Sequence, residues 1–229
     1  MSTVAVLHAA AADIPLLTGG TIARLADAGH RVVIVTLTGD APTEVASMLG
    51  AARVESLGYE LAVADESKVP IDAVDELVDL LEDEPEIDLV ISYNAIGIAH
   101  EPTHMRVHEF GNVLSQAREV PTVEAAVPRE LVNRGVQLAK TMRKTVPFDG
   151  QQLAAFPAKD ALDYAVPTKK VFDRKWDAMQ RAGGGADDFS RMLSKALALP
   201  RMMVAPMLQT EYFGLGRGDA PAFFTSLVK

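Results

Sequence analysis

Eight side chains in this 229-residue chain have the types and spacing for chemistry. His8 closes an apolar run near the N-terminus, and Asp13 follows five residues later. His100, Glu101, His104 and His108 crowd a second segment, just after Tyr93-Asn94. Histidine titrates near neutral pH, so it serves as a metal ligand or as an acid/base. His8 and Ala10 are two apart, which on a strand places both on one face. Four of the five histidines are therefore expected to converge on one mouth. Two chemistries are open: a metal held by His8, Asp13 and His104, or a metal-free acid/base pair of His104 and Glu101. Tyr93, Asn94, His100 and His108 are the candidate substrate contacts.

The elements that position these groups follow from hydrophobic patterning. Thr3–Ala9, Arg31–Thr38, Glu60–Ala64, Asp88–Tyr93 and Pro121–Val127 read as strands. Arg31–Thr38 is nearly continuous aliphatic, as suits a parallel strand covered on both faces. Helices are predicted over Thr21–Ala28 (closed by Gly29), Pro42–Leu57 (closed by Gly58), Pro70–Leu81 and Thr103–Arg118. In Pro70–Leu81, Ile71, Val74, Leu77, Val78 and Leu81 share one side, and the carboxylates form a solvated face. Strand–helix alternation of this kind implies right-handed crossovers and a parallel sheet. The site then lies beyond the carboxyl ends of the strands, in the segments 9–20 and 94–103.

The second half is less regular. Phe172–Arg181 and Phe189–Ala198 read as helices around a Gly183-Gly184-Gly185 loop. Pro157–Val166 and Gln209–Phe213 are short strands or extended loops. Met202, Met203 and Met207 read as core or interface filler. Phe223-Phe224 reads as a docking element for the chain or for a second subunit. Gly19-Gly20 ahead of a helix suits either an anion cradle or a tight turn with close helix–sheet packing. It is not a dinucleotide-binding glycine loop.

Composition narrows the classes. Hydrophobic residues make up 48% and charged residues 23%, an ordinary globular balance. One domain over residues 1–229 is expected, with a core at 1–128 and a distinct portion at 129–229. The net charge of −9 disfavours a nucleic-acid partner. With no cysteine, disulfides and thiolate-held metals are excluded. Met1–Ala12 has no Lys or Arg before its apolar run and reads as a first strand, not a signal peptide. No apolar stretch is long enough to cross a bilayer, so a cytoplasmic protein without a membrane partner is expected.

Several of these pieces recur together in one family. Gly19-Gly20-Thr21-Ile22-Ala23-Arg24-Leu25, then Gly29-His30-Arg31-Val32-Val33 and Thr36-Leu37-Thr38, resemble the LmbE-like (PIG-L, GlcNAc-PI de-N-acetylase-like) family. His104-Met105-Arg106-Val107-His108, Ala126-Val127-Pro128-Arg129 and Asp173-Arg174-Lys175-Trp176 resemble later family segments in the same order. The resemblance spans about residues 3–180. It implies a Rossmann-like three-layer α/β sandwich with a mostly parallel sheet. It also implies zinc-dependent cleavage of an N-acetyl group or related amide from an amino sugar or conjugate.

The functional positions depart from the family pattern. A His-Pro-Asp-Asp-Glu loop is expected before Gly19-Gly20. Here those positions hold Ala10, Ala11, Ala12, Asp13 and Ile14. By the resemblance, Ala10 stands for a zinc histidine and Ala12 for the general base. Asp13 alone matches a ligand. In the second motif, Glu101-Pro102-Thr103-His104 replaces His-Pro-Asp-His, and only His104 matches a ligand. Two ligands are fewer than the three of a typical catalytic zinc site. Loss of a general base alone costs about 10²–10⁴ in rate.

Three readings follow. The first is a diverged LmbE-like protein that binds or acts on a small polar molecule, such as an amino sugar or natural-product intermediate, without the zinc mechanism or any other cofactor. The second is a metal-dependent N-deacetylase, with zinc held by His8, Asp13 and His104. The third is an inactive binding or scaffold partner. A homo-oligomer is expected by analogy.

Overall fold

The computed structural model describes all residues except 61–69, 71–72, 85, 144–149, 184–190, 192–193, 196 and 229, and the side chains of 99 and 100. Seven strands form one sheet in the order β3-β2-β1-β4-β5-β7-β6. They are β1 (Thr3–His8), β2 (Arg31–Thr38), β3 (Arg53–Tyr59), β4 (Ile87–Tyr93), β5 (Thr122–Ala126), β6 (Tyr164–Pro167) and β7 (Thr210–Leu215). The first five are parallel, whereas β7 and β6 run antiparallel along one edge. β1 lies between β2 and β4, so the strand order reverses there. That reversal opens a crevice at the carboxyl ends of β1 and β4.

Burial explains the aliphatic runs. Val4, Ala5, Val6 and Leu7 of β1 and Ile34, Val35 and Leu37 of β2 are fully buried. Helices cover both faces of such strands. Those described are α1 (Gly19–Asp27), α2 (Thr43–Leu49), α3 (Ala73–Leu80), the single turn α4 (Gly97–His100), α5 (Pro102–Arg118), α6 (Arg129–Thr141), α7 (Gly150–Ala155), α8 (Phe172–Ala182), α9 (Arg201–Leu208) and the single turn α10 (Ala222–Thr225). A second, smaller apolar cluster joins Phe172, Trp176 and Met179 of α8 to Val204 of α9 and to Ala12.

Three expectations change. The helix expected over Pro42–Leu57 ends at Leu49, where Gly50 takes φ 84° and closes it. Arg53–Tyr59 is instead the edge strand β3, paired with β2. Gly50, not Gly58, is thus the helix terminator. The strand expected over Glu60–Ala64 falls outside the described residues beyond Glu60, as do Ile71 and most of the helix expected over Phe189–Ala198. Residues Ile14–Thr18, expected as loop, form a π-helical turn that runs directly into α1. The methionines of α9 divide: Met202 is 83% exposed and Met203 is also exposed, whereas Met207 packs against the second cluster beside the buried Val204. Phe224 docks within the chain, edge-on to Phe213 and Tyr164, while Phe223 packs on His30.

Candidate functional site

The site forms where β1, β4 and the start of α5 meet. Asp13 follows β1, and His104 lies in the first turn of α5, so the parallel sheet brings residues 91 apart in sequence together. Asp13 Oδ2 is 3.2 Å from His104 Nε2, and both side chains are buried. The same Oδ2 accepts the Ala10 amide at 3.1 Å, closing the loop back on itself. His104 Nδ1 is 3.1 Å from the Gly97 carbonyl and 3.4 Å from that of Ile98. Both ring nitrogens thus face acceptors, an arrangement that suits a doubly protonated imidazolium.

The electrostatics agree. Burial opposes charge on His104, but the adjacent Asp13 carboxylate and its hydrogen bond outweigh that and lift the pKa to about 9. Burial likewise opposes charge on Asp13, and His104 reverses the balance, holding the carboxyl below its usual value. The loop that supplies the carbonyls is strained. Gly97 has φ 59°, and a Cβ there would lie 2.6 Å from the Met105 amide nitrogen. Ile98 is β-branched yet has φ 42°, a costly conformation held by full burial.

Behind this pair lies a second buried network. His8 Nδ1 is 2.8 Å from the Tyr93 hydroxyl, and its Nε2 is 2.9 Å from Thr18 Oγ1. Burial lowers the His8 pKa to about 3, more than offsetting the pull of Asp13, so the ring is neutral. In one proton assignment Tyr93 donates to Nδ1, Nε2–H donates to Thr18, and Thr18 donates to the Ile14 carbonyl at 3.4 Å, while the Tyr93 hydroxyl also faces the Asp13 carboxylate. The Ala9 amide donates to the Tyr93 oxygen at 3.4 Å. Tyr93 stands edge-on to both His8 and His104. Burial, and then the Asp13 charge, push its hydroxyl pKa well above the ordinary value.

These positions decide how the expected residues are arranged. Asp13 and His104 come together. His8 lies near them, but its two ring nitrogens are committed to Tyr93 and Thr18, so ligating a metal would require breaking one of those bonds. Tyr93 is fully buried and stands beneath the pocket, not in reach of a solvent-borne ligand. Asn94 turns its Oδ1 to the Ile98 amide at 3.4 Å. His108 faces the other way, with Nδ1 3.0 Å from the Tyr93 carbonyl and 3.1 Å from Glu124 Oε1. That hydrogen bond to Glu124 raises its pKa. The His100 side chain lies outside the described residues. Glu101 caps α5, its Oε2 accepting the His104 amide at 2.9 Å. As an imidazolium between two acceptors, His104 has no lone pair with which to act as a base.

The alanine positions differ from one another. Ala10 is half-exposed at the rim of a pocket lined by Ala9, Asp13, Glu101, Thr103 and His104. Its volume is about 10 Å³, the space of a single water-sized group. Ala12 is buried in the small cluster with Phe172, Trp176 and Met179, and Ile14 is buried in the main core. Among the described residues, no group of three or more His, Cys, Asp or Glu side chains is arranged to hold a metal ion. By the resemblance the zinc positions hold Ala10, Asp13 and His104, which is two side chains able to ligate where a catalytic zinc site uses three.

The Gly19-Gly20 segment does cradle an anion, and the anion is internal. The carboxylate of Glu211, on β7, accepts the Gly20 amide at 2.8 Å, the Thr21 amide at 2.7 Å and the Thr21 hydroxyl at 2.6 Å. Lys175 of α8 pairs with it at 2.6 Å, and both charges are buried. The α1 N-terminus is thus already occupied. Gly20 also allows close approach, since a Cβ there would lie 2.3 Å from the Thr168 side chain. Glu211, Lys175 and Thr168 escaped the sequence reading. The signal available for Lys175 was a charged residue on the apolar side of α8.

No protein-family model matches the sequence, and a search of curated proteins finds no match. Solved structures do match over nearly the whole chain. The 4-carboxy-2-hydroxymuconate hydratase GalB from Pseudomonas putida aligns at TM-score 0.58 and 14% identity, over 96% of this chain and 98% of its own. The N,N'-diacetylchitobiose deacetylase from Pyrococcus horikoshii aligns at 0.54 and 18%, over 94% and 84%. A zinc-inhibited teicoplanin deacetylase aligns at 0.55 and 15%, over 96% and 100%. The chain has the LmbE-like deacetylase fold. Within it, a deacetylase and a hydratase share one architecture, so the LmbE-like fold alone does not select a reaction. Among the described residues, no helix of this chain is long and apolar enough to cross a membrane.

Proposed function

We propose that this LmbE-like chain binds a small polar molecule at the Asp13–His104 pocket and does not use the zinc hydrolase mechanism. One observation carries the reading. The two side chains at zinc-ligand positions contact each other directly, at 3.2 Å, and neutralise each other's charge. A carboxylate and an imidazolium so paired present a fixed polar floor rather than an electron-pair donor set for a metal. At the position of the family's general base, Ala12 supplies no carboxylate, and His104 holds its protons.

The test is a ligand screen by amide NMR, following Ala10, Thr103 and His104 with excess chelator present. Small polar compounds, amino sugars among them, are expected to shift these signals whether or not metal is available. Shifts that vanish with chelator and return with added zinc would overturn the proposal in favour of a metal site rebuilt around His8.

Burial of Ala12 and Ile14, together with the small pocket volume, favours a second reading. In it the chain is an inactive scaffold, its former reaction centre repacked with apolar groups. The same screen separates the two, because a scaffold leaves the pocket signals unmoved by every compound.

A further inference from the structure

Two buried polar atoms at the pocket lack a hydrogen-bond partner: Asp13 Oδ1 and Thr103 Oγ1. Asp13 is 1% exposed and Thr103 2%, and both line the same small space. A buried polar atom without a partner costs free energy, so such atoms mark places where something outside the protein completes the bonding. His104 cannot serve, since its ring hydrogens already point to Asp13 Oδ2 and the Gly97 carbonyl. Asp13 Oδ1, as a carboxylate oxygen, accepts only. Thr103 accepts with its lone pairs.

We infer that the pocket takes the ammonium head of a primary amine, with Asp13 Oδ1 and Thr103 Oγ1 as its two acceptors. Size supports a head group, because about 10 Å³ admits one such group while the rest of the molecule stays outside. The rim is open enough for that, since Ala10 and Glu101 are half-exposed. Charge supports a cation. The acceptor Asp13 Oδ1 belongs to a carboxylate, and the Glu101 side chain also lines the space. An anionic ligand would meet the Asp13 carboxylate, with the nearby imidazolium already paired to it. This inference rests on the reading that the pocket binds a small polar molecule, and it names the class.

Ethanolamine, ethylene glycol and potassium chloride, each at matched ionic strength, separate the possibilities by amide NMR of the full chain. Ethanolamine is expected to shift the Thr103 and His104 amides saturably, ethylene glycol weakly, and potassium not at all. Thr103→Val removes an oxygen that bonds nothing in the protein, so folding is expected to be unharmed. Ethanolamine binding should weaken about fivefold, the worth of one hydrogen bond. Binding that is equal for ethylene glycol, or taken over by potassium, overturns the amine assignment and leaves a polar-ligand pocket standing. Ethanolamine binding unaffected by Thr103→Val also overturns the assignment. No shift at the pocket from any compound, including the amino sugars of the wider screen, overturns both.

Discussion

Asp13 Oδ2 and His104 Nε2 touch at 3.2 Å across the carboxyl ends of two parallel strands, and His8 sits neutral behind them. The two histidines respond to pH with opposite signs. His104 has a folded pKa of about 9 against an ordinary 6.5, so its stabilisation is complete below pH 6.5 and is lost as pH rises toward 9. His8 has a folded pKa of about 3, so its stabilisation is complete above pH 6.5 and is lost as pH falls toward 3. Denaturant titrations should give a stability maximum near pH 6.5. Relative to the parent, His104→Gln should flatten the alkaline limb and His8→Gln the acid limb.

Restoring the family residues should have unequal effects at the two alanines. Ala10 lines the pocket and is half-exposed, so Ala10→His adds a donor beside Asp13 and His104 and should raise zinc affinity at modest cost. Ala12 packs among Phe172, Trp176 and Met179. Ala12→Asp would put a carboxylate in that cluster without a partner, at a cost of about 3 kcal/mol or more. Zinc calorimetry and urea melts of the two single variants check this. Unchanged zinc affinity in Ala10→His would contradict the match between these loops and the family motif.

The Lys175–Glu211 pair should be more sensitive than any exposed ion pair in the chain. Removing one partner of a buried pair strands the other, at a cost of about 3–5 kcal/mol. Glu211→Ala should be the more damaging variant, because it also frees the Gly20 and Thr21 amides. Lys175→Met combined with Glu211→Gln should cost less than the sum of the single changes. A double-mutant cycle in urea measures the coupling.

Gly20→Ala should destabilise the chain by about 1–3 kcal/mol through overpacking against Thr168. The clash is with a β-branched side chain at the end of β6, which cannot simply swing aside. Thermal melts check it. A neutral result would mean that α1 can slide relative to the β6 end.

Much of the sheet was legible because β1, β2, β4 and β5 are apolar runs of strand length bounded by turn residues. Glycine was a good guide at Gly29 and a poor one at Gly58. Gly50 has the same residue type and ends the helix earlier, leaving Val54 and Leu57 to an edge strand. The pairing of Asp13 with His104 was foreseeable only as convergence on one crevice, since a parallel sheet gathers its strand ends. What Tyr93 and His8 do was not legible. Local pattern places a polar side chain at the mouth of a strand but does not say whether it turns outward or inward to another buried group. Glu211 was invisible for a related reason: its partners lie 190 residues upstream.

That distance has a consequence for how the pocket comes into being. The helix that follows Asp13 is closed at its start by a carboxylate from the last strand. The stretch carrying the pocket floor therefore lacks its anchor until nearly the whole polypeptide has been made and threaded into the sheet. Such distant closures are slow to form. Ligand recognition should thus be among the last properties to appear during refolding, after the parallel strands have already acquired protection from hydrogen exchange.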